Sequence, residues 1–321
     1  MVKLDLKDRK ILYELDIDSR QSFKQLAKKV GLSKDAVIYR INRLKKEEII
    51  KYFQTVLDVG KLGFISFRLY LKFQNTTQQK EQEIIDFFKK QKNIIWIASA
   101  QGDYNIGMAI LVKSIKEMNQ LWKEVLAKYL NYIEKRWLTI FTKVAYYTRP
   151  FLLDKKINTR EYICITEPEE IKIDEKDMRI LKILAPNARA SVLELAEKTK
   201  LNPKTITSRI RQLEEKGIII GYRTMFDLEK LGYQFFKIFL NLHNTSPTKI
   251  KQLREFIRQH SNIIYDNEVL GGGDIEIDVQ LKSLTELRHL FTEIKNKFQD
   301  LIKNYNYMLF YKEHKYVFLP V

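Results

Sequence analysis

Residues 21–50 read QSFKQLAKKVGLSKDAVIYRINRLKKEEII, a segment with the apolar periodicity of two short helices. Its first part has apolar residues at helical spacing, namely Phe23, Leu26, Ala27 and Val30. Gly31 ends that helix, and Ser33 is placed to cap a second one, because a serine oxygen accepts hydrogen bonds from the first free amides. Two short helices joined by a tight turn are typical of a helix-turn-helix.

The same pattern occurs a second time. Residues 190–219 read ASVLELAEKTKLNPKTITSRIRQLEEKGII, with Asn202 at the cap and Pro203 at the first helical position, where its missing N–H costs nothing. Further along, Gly102-Asp103 matches Gly273-Asp274 after a small difference in length. The repeats run from about Leu4 to Phe151 and from about Ile173 to the C-terminus, so they predict one architecture used twice. A shift of 169 positions pairs Asp5 with Asp174, Asp8 with Asp177, Arg20 with Arg189, Arg40 with Arg209 and Gly63 with Gly232.

Each repeat opens with two aspartates three positions apart. Asp5 and Asp8, and again Asp174 and Asp177, precede an apolar run. Paired carboxylates also serve acid–base catalysis, but their recurrence at a helix start favours an N-cap with its supporting acid.

The second helix of each pair has an apolar face and a polar face. The apolar faces carry Val37, Ile41 and Leu44, and Ile206, Ile210 and Leu213. The polar faces carry arginine and lysine, which suit guanine, and asparagine and glutamine, which suit adenine. A plain solvated face is the alternative, but the turn, the duplication and the basic charge favour DNA recognition. The predicted DNA-contacting residues are Lys34, Asp35, Tyr39, Arg40, Asn42, Arg43, Lys204, Thr205, Ser208, Arg209, Arg211 and Gln212.

Arg40 and Arg209 lie at the edge of the apolar face. A guanidinium at that place either clamps a DNA phosphate or pins its helix by a local hydrogen bond. The sequence leaves both roles open.

After these helices the periodicity changes to that of strands. Ile49-Ile50 and Ile218-Ile219 begin short stretches that we interpret as wings, with basic side chains near the DNA backbone. From Gly63 onward the order is β-α-β-β-α-β, typical of a ferredoxin-like fold, and the second repeat follows it. Residues 271–274, GGGD, lack the lysine and helix of a phosphate-binding loop, so we predict a hairpin connection.

The predicted fold class is therefore α+β, with two winged helix-turn-helix domains, each followed by a ferredoxin-like βαββαβ domain. Winged domains are expected at 1–60 and 173–229, and ferredoxin-like ligand-sensing and dimerisation domains at 61–152 and 230–321. A polar connector at 153–172 has one short strand predicted at Tyr162–Ile165.

The composition favours a nucleic-acid partner. A net charge of +17 points to a polyanion, with nucleic acid first and an anionic membrane surface second. The single cysteine, Cys164, excludes an internal disulfide. No apolar run approaches the roughly 20 residues of a membrane helix, and the N-terminus lacks a signal core, so we expect a cytoplasmic protein without a membrane partner. Neither a metal nor a cofactor is predicted.

The repeats resemble the leucine-responsive regulatory protein family, also called Lrp/AsnC. The motifs that carry the resemblance lie in residues 4–50 and 173–222, and the resemblance extends over nearly the whole chain. The second repeat has the family's usual Glu-Lys-Gly-Ile-Ile ending at 215–219, whereas Glu48 stands where the first would have glycine, which implies a differently set wing. The resemblance implies a domain that dimerises and often binds an amino acid near the loop between its middle two strands. The effector residues so implied are Ala100, Gly102, Asp103, Asn105, Gly272, Gly273 and Asp274, although a hairpin turn needs the same glycines.

The predicted function is a sequence-specific double-stranded DNA-binding transcription regulator, modulated by an amino acid or another small effector. We expect the two copies to form the family's dimer within one chain, which leaves room for a further homo-oligomer. Because the two recognition helices differ, we also expect an asymmetric DNA site.

Two other functions compete with this prediction. No catalytic residues are predicted and the chain is expected not to be an enzyme, but a tetrapyrrole decarboxylase of the siroheme type is the alternative on the same fold. Such an enzyme needs well-placed basic or histidine side chains, and the candidates without a motif are His243, His260, His289 and His314. A nonspecific binder that stacks bases on Tyr129, Tyr132 and Trp137 is less well supported, because these residues fall in apolar patterns typical of a core.

Overall fold

The computed structural model describes residues 4–155, 161–165, 168–243 and 246–320. The first repeat consists of α1 (Leu6–Ile17), α2 (Phe23–Val30), α3 (Lys34–Lys46), β1 (Ile50–Leu57), β2 (Ile65–Phe73), α4 (Gln78–Lys90), β3 (Ile94–Gly102), β4 (Ile106–Val112), α5 (Ile115–Tyr129) and β5 (Ile133–Tyr147). A short strand, β6 (Glu161–Ile165), follows. The second repeat consists of α6 (Glu175–Leu184), α7 (Val192–Thr199), α8 (Pro203–Glu215), β7 (Ile219–Phe226), β8 (Gln234–Leu242), α9 (Pro247–Gln259), β9 (Ile263–Leu270), β10 (Ile275–Leu281), α10 (Leu284–Phe298) and β11 (Ile302–Tyr316).

The helix-turn-helix units begin at the caps that the sequence predicts. The Asp8 amide donates to the Asp5 carboxylate (2.8 Å), and the Asp5 amide donates to the Asp8 carboxylate (3.2 Å), which is a complete capping box. Asp174 and Asp177 repeat it at the start of α6. The capping interpretation of these aspartates is confirmed, since their oxygens satisfy amides that have no partner within the helix.

The predicted apolar faces form the cores of the two units. Val37, Ile41 and Leu44 of α3 are buried against α1 and α2, in a cluster that also contains Leu12 and Leu26. In the second unit the buried residues of α8 are Ile206, Ile210 and Leu213. Helix-turn-helix units and the α+β class are therefore confirmed.

The remaining strands form one barrel. Within each repeat the strands pair in the orders β5-β2-β4-β3 and β11-β8-β10-β9. β3 also pairs with β11, and β9 pairs with β5, both antiparallel, so the two sheets join at both edges. Helices α4 and α5 cover the outside of the first half and α9 and α10 that of the second. Each half therefore has the strand order of the predicted βαββαβ unit. Its arrangement as a ferredoxin-like domain of its own stays a prediction, because the edges of each sheet are paired with the other repeat.

The strands predicted as wings do not form two wings. β1 and β7 pair with each other in a two-stranded antiparallel sheet, in which Phe53 lies opposite Thr224. The wing interpretation is corrected, because each strand obtains its backbone partners from the other repeat. This sheet, which we call the β1–β7 sheet, directly follows both α3 and α8 in the chain.

Reciprocal contacts relate the two repeats. Arg189 Nη1 donates to the carbonyl of Gln21 (3.0 Å), and Arg20 Nη1 donates to the carbonyl of Ala190 (3.3 Å). Backbone hydrogen bonds of 2.8–3.0 Å between the repeats also occur in equivalent pairs. The Ser19 amide donates to the Tyr222 carbonyl as the Ala188 amide does to that of Phe53, and the Asp58 amide donates to the Ile218 carbonyl as the Asp227 amide does to that of Ile49. Because these contacts recur with the repeats exchanged, the chain has an internal pseudo-two-fold relation.

The connector supplies the predicted short strand. β6 pairs antiparallel with β5, and Tyr162 and Cys164 on it are buried. Within the predicted connector, residues 156–160 and 166–167 lie outside the described residues. The predicted boundaries near 60 and 229 stay a prediction, since β1 and β7 pack with both repeats. No helix among the described residues is long and apolar enough to cross a membrane.

Candidate nucleic-acid interface and central cavity

The polar face of α3 is presented to solvent. Lys34, Asp35 and Asn42 are exposed, and Tyr39 has an exposed fraction of 69%. Ser33 caps the helix by accepting a hydrogen bond from the Ala36 amide (3.2 Å). These side chains are available to base edges and phosphates, and DNA contact by them stays a prediction.

Arg40 and Arg43 are held by the capping box of α1. Arg40 Nη1 lies 2.7 Å from both the Asp5 and the Asp8 carboxylate oxygens, and Arg43 Nη2 lies 2.6 Å from the other oxygen of Asp8. The Asp8 amide and, next, the Arg40 guanidinium lower the pKa of Asp5. Of the two roles left open for Arg40, the structure supports the second, in which its hydrogen bonds hold α3 against α1. We call this set of contacts from Arg40 and Arg43 to Asp5 and Asp8 the pin.

The second unit repeats only half of this arrangement. Arg209 Nη1 lies 2.8 Å from the carboxylates of Asp174 and Asp177. The position equivalent to Arg43 is Gln212, which is exposed on α8. Arg211 is also exposed and pairs with Glu215 at 2.8 Å along the same helix. The two recognition helices therefore offer unlike surfaces, with Lys204 and Ser208 exposed and Thr205 half-buried at the remaining predicted positions.

Removal of the Asp8 carboxylate tests the pin. Asp8 is buried, caps α1 and accepts from two arginines, so we expect Asp8→Ala to lower the free energy of unfolding by about 2–3 kcal/mol. Urea denaturation measures this value. The control is Asp86→Ala, which removes a half-exposed carboxylate that pairs with Lys89 on α4 and is expected to leave the free energy of unfolding nearly unchanged. Equal losses in the two variants would contradict the pin.

The predicted effector residues lie at the β3–β4 and β9–β10 connections, where several have structural partners. The Phe73 amide donates to Asn105 Oδ1 (2.8 Å), and the Leu242 amide donates to Asp274 Oδ2 (2.6 Å). Asn105 and Asp274 are thus equivalent under the shift of 169 positions. The matching of Gly102-Asp103 with Gly273-Asp274 is corrected, since there is no length difference between these connections.

The other loop residues are placed as a turn requires. Gly102 has a φ of +136°, which disfavours a side chain, and Asp103 is exposed. Ala100 is buried inside the barrel, and Gly273 packs against β8. An effector role for these residues stays a prediction.

A central cavity of about 640 Å³ occupies the barrel and reaches the β1–β7 sheet. Its walls are largely aromatic, with Tyr70, Trp96, Phe141, Tyr146 and Phe310. Its floor includes Tyr52 of β1 and Phe226 of β7. Small-molecule sites have volumes of roughly 300–1,000 Å³, so this cavity is large enough to hold a small ligand.

Charged side chains point into the barrel, where a core would be apolar. Lys237 Nζ lies 3.0 Å from Glu276 and 3.3 Å from Asp278, and Asn267 donates to Asp278 (2.7 Å). Burial raises the pKa of Glu276. Arg68 of β2 lines the same cavity with its guanidinium over the Phe141 ring (4.5 Å).

Sequence reasoning missed these lumen residues, although a signal was present. In β10, which reads IEIDVQL, polar residues alternate with apolar ones, a pattern that is also typical of a strand with one solvated face. Both faces are in fact buried, because the polar face lines the barrel.

The four histidines do not come together. His314 bonds Ser99 Oγ at 2.7 Å, and His260 and His289 line a separate surface depression near α10. None of the described histidines lines the central cavity. No group of three His, Cys, Asp or Glu among the described residues is arranged to hold a metal ion.

Comparison with known proteins matches both units to DNA-binding families. The AsnC-type helix-turn-helix domain model matches residues 4–45, and the winged helix-turn-helix DNA-binding model matches residues 173–220. The proline dehydrogenase transcriptional activator of Rhodobacter capsulatus is 33% identical over 122 residues, which are 38% of this chain and 79% of that protein. The chain belongs to the Lrp/AsnC family.

A further relative agrees with this Lrp/AsnC assignment. The HTH-type transcriptional regulator LrpB of Bacillus subtilis is 29% identical over 143 residues, covering 44% of this chain and 88% of that protein. Each relative spans less than half of this chain, as expected if the Lrp/AsnC unit occurs here twice.

A solved structure resembles this Lrp/AsnC chain over nearly its full length. The crystal structure of the siroheme decarboxylase NirDL covers 98% of this chain and 94% of its own, with a TM-score of 0.64 and 14% identity. At an identity this low, the likeness shows a shared fold and no more. The sequence-based prediction is that this chain is not an enzyme. That prediction is wrong where it relies on the architecture, because NirDL has the same architecture and is an enzyme.

Proposed function

We propose that this protein is a sequence-specific regulator of transcription whose two unlike recognition helices bind one asymmetric DNA duplex site. The observation that carries the proposal is the pair of capped helix-turn-helix units, related by reciprocal contacts but different on their exposed faces. In α3 that face carries Asp35, Tyr39 and Asn42, and in α8 it carries Lys204, Arg211 and Gln212.

Phosphates and bases have separate roles in this proposal. Lysines at the helix starts, such as Lys34 and Lys204, neutralise phosphates and set the register, whereas the helix faces select bases. The β1–β7 sheet joins the two units and limits how far they separate. An amino acid at the β3–β4 and β9–β10 loops is the modulator that the family resemblance suggests.

Selection from a random duplex pool tests the proposal. We expect enrichment of a site with two different halves, which the protein prefers over unrelated duplex in fluorescence anisotropy at about 150 mM salt, by a factor of roughly 10³ or more. Symmetric dimers select palindromes because their half-sites match. A perfect palindrome among the enriched sequences would therefore contradict the asymmetric site.

Arg211→Ala tests which half each helix reads. Arg211 is exposed on α8, so its loss should relax base preference at a position of one half-site by about 1–3 kcal/mol and leave the other half unchanged. Arg288→Ala removes an exposed arginine on α10 and serves as the control. Unchanged preference in the Arg211 variant would remove α8 from base recognition.

A second candidate is a tetrapyrrole decarboxylase, favoured by the likeness to NirDL over nearly the whole chain. Its acid–base groups would come from arginine, lysine and tyrosine, since no described histidine lines the cavity. Anaerobic incubation with siroheme, followed by mass spectrometry, tests it. Loss of carbon dioxide from the substrate would establish this candidate, and recovery of intact siroheme would exclude it.

A further inference from the structure

We propose that the barrel lumen binds a flat aromatic molecule with a single anionic group, and that Arg68 holds that group. Occupancy of the lumen would act on the β1–β7 sheet and so on the two recognition helices. The binding site stands by itself, and only its effect on DNA rests on the proposed function.

Arg68 is a cation without an anionic partner. Its guanidinium lies over the Phe141 ring (4.5 Å) and makes one long hydrogen bond, from Nη1 to the carbonyl of Phe67 (3.4 Å). No carboxylate of the described residues is within ion-pair distance of it. A cation in a partly enclosed, low-dielectric site attracts an anion more strongly than one in water does, so this guanidinium is available to a ligand.

The other lumen charges restrict the ligand to few negative groups. Lys237 is paired with Glu276 and Asp278, and Arg149 is paired with Asp16. The cavity lining as a whole has nearly balanced charge and carries about one net positive charge. Its cations are Lys51, Arg68, Arg149, Lys237 and Lys312, and its carboxylates, which would repel further anionic groups, are Asp227, Glu229, Asp278 and Glu313. A molecule with many carboxylates, such as siroheme, is therefore a poorer fit than a monoanion.

The walls favour a flat molecule. Tyr70 packs against Phe239 with ring centroids 5.7 Å apart, and Trp96 packs against Phe310 at 5.0 Å. Burial raises the pKa of Tyr70 well above its ordinary value, so its phenol stays neutral. Aromatic faces and edges prefer stacked or edge-on aromatic partners.

The floor connects the site to the recognition helices. Tyr52 and Phe226 line the cavity, and their strands begin a few residues after α3 and α8 end. Tyr52 also packs against Tyr316 of β11, with centroids 5.9 Å apart. A ligand between these rings contacts both the barrel and the β1–β7 sheet, which is what coupling requires.

Fluorescence titration with 8-anilinonaphthalene-1-sulfonate, an aromatic monoanion, tests the site. We expect one probe per chain, displaced by sodium 2-naphthoate. Arg68→Gln should weaken probe binding by about ten-fold or more, because a charge-assisted contact is lost. Ala98→Phe, which fills the lumen from β3, should abolish it, and the exposed variant Arg288→Gln should leave it unchanged. Thermal melts confirm that each variant is folded.

The outcomes separate the two proposals. Probe affinity unchanged in both Arg68→Gln and Ala98→Phe, or a probe that naphthoate does not displace, would overturn the lumen site. If the site is occupied as expected, naphthoate should shift DNA affinity in the wild type and not in Arg68→Gln. A lumen that binds the probe in a protein that binds no DNA would refute the regulator while the lumen site stands.

Discussion

Asp16→Ala is expected to lower the free energy of unfolding by about 3–5 kcal/mol, the usual cost of leaving a buried charge without its partner. Asp16 of α1 is fully buried between Arg149, which follows β5, and Arg223 of β7. Its carboxylate also accepts from the Arg149 amide (2.6 Å). Without it, two buried guanidinium groups would face each other unneutralised.

The triad also joins three parts of the molecule. Arg149 Nε donates to Gln280 of β10 (2.9 Å), and Arg223 Nη2 donates to the carbonyl of Tyr147 (2.7 Å). Burial lowers the pKa of Arg149, and Asp16 opposes that shift. The loss of stability should therefore be global, with a helix-turn-helix unit and the barrel unfolding together in urea.

Asp154→Asn is the control for this variant, because asparagine keeps the left-handed backbone of Asp154 (φ +54°) and removes only the charge. The Asp154 side chain has an exposed fraction of 77% and lies 3.4 Å from Arg9, so loss of its charge should cost no more than about 1 kcal/mol. Similar midpoints for Asp16→Ala and Asp154→Asn would mean that the buried triad contributes little.

The second large effect is the salt dependence of DNA binding. With roughly six to ten phosphate contacts, the affinity should fall by about 10³-fold or more between 50 and 200 mM salt. The physical reason is the release of condensed counterions from the duplex, which is less favourable at higher salt. Fluorescence anisotropy across a salt series measures the slope.

A double variant assigns part of that slope to the helix starts. Lys34→Gln with Lys204→Gln removes two exposed cations and should reduce the slope of log affinity against log salt by about two. Lys116→Gln with Lys295→Gln makes the same charge change on α5 and α10, outside the barrel, and should leave it unchanged. Equal reductions in both double variants would indicate a diffuse electrostatic attraction instead of contacts by the recognition helices.

Local structure and the duplication could be predicted from the sequence. Capping aspartates, the apolar stripe of α3 and the order of strands and helices are short-range signals, because caps and side-chain periodicity act within one or two turns. The exposed faces of α3 and α8 could therefore be predicted, including the difference between Asn42 and Arg211.

How the two repeats combine could not be predicted from the sequence, because it depends on contacts between residues far apart in the chain. The pairing of β1 with β7, and of β3 and β5 with the other repeat, joins residues far apart in the chain, and period-two alternation does not say which strand is the neighbour. The lumen could not be predicted for the same reason, because the polar side of β10 has the same sequence pattern whether it faces water or a second sheet. The Asp16 triad could not be predicted either, and its equivalents in the other repeat are the uncharged Gln54, Ala185 and Phe318. Charge burial depends on those long-range neighbours, so the cavity and its free Arg68 follow from the closed barrel and not from any local pattern.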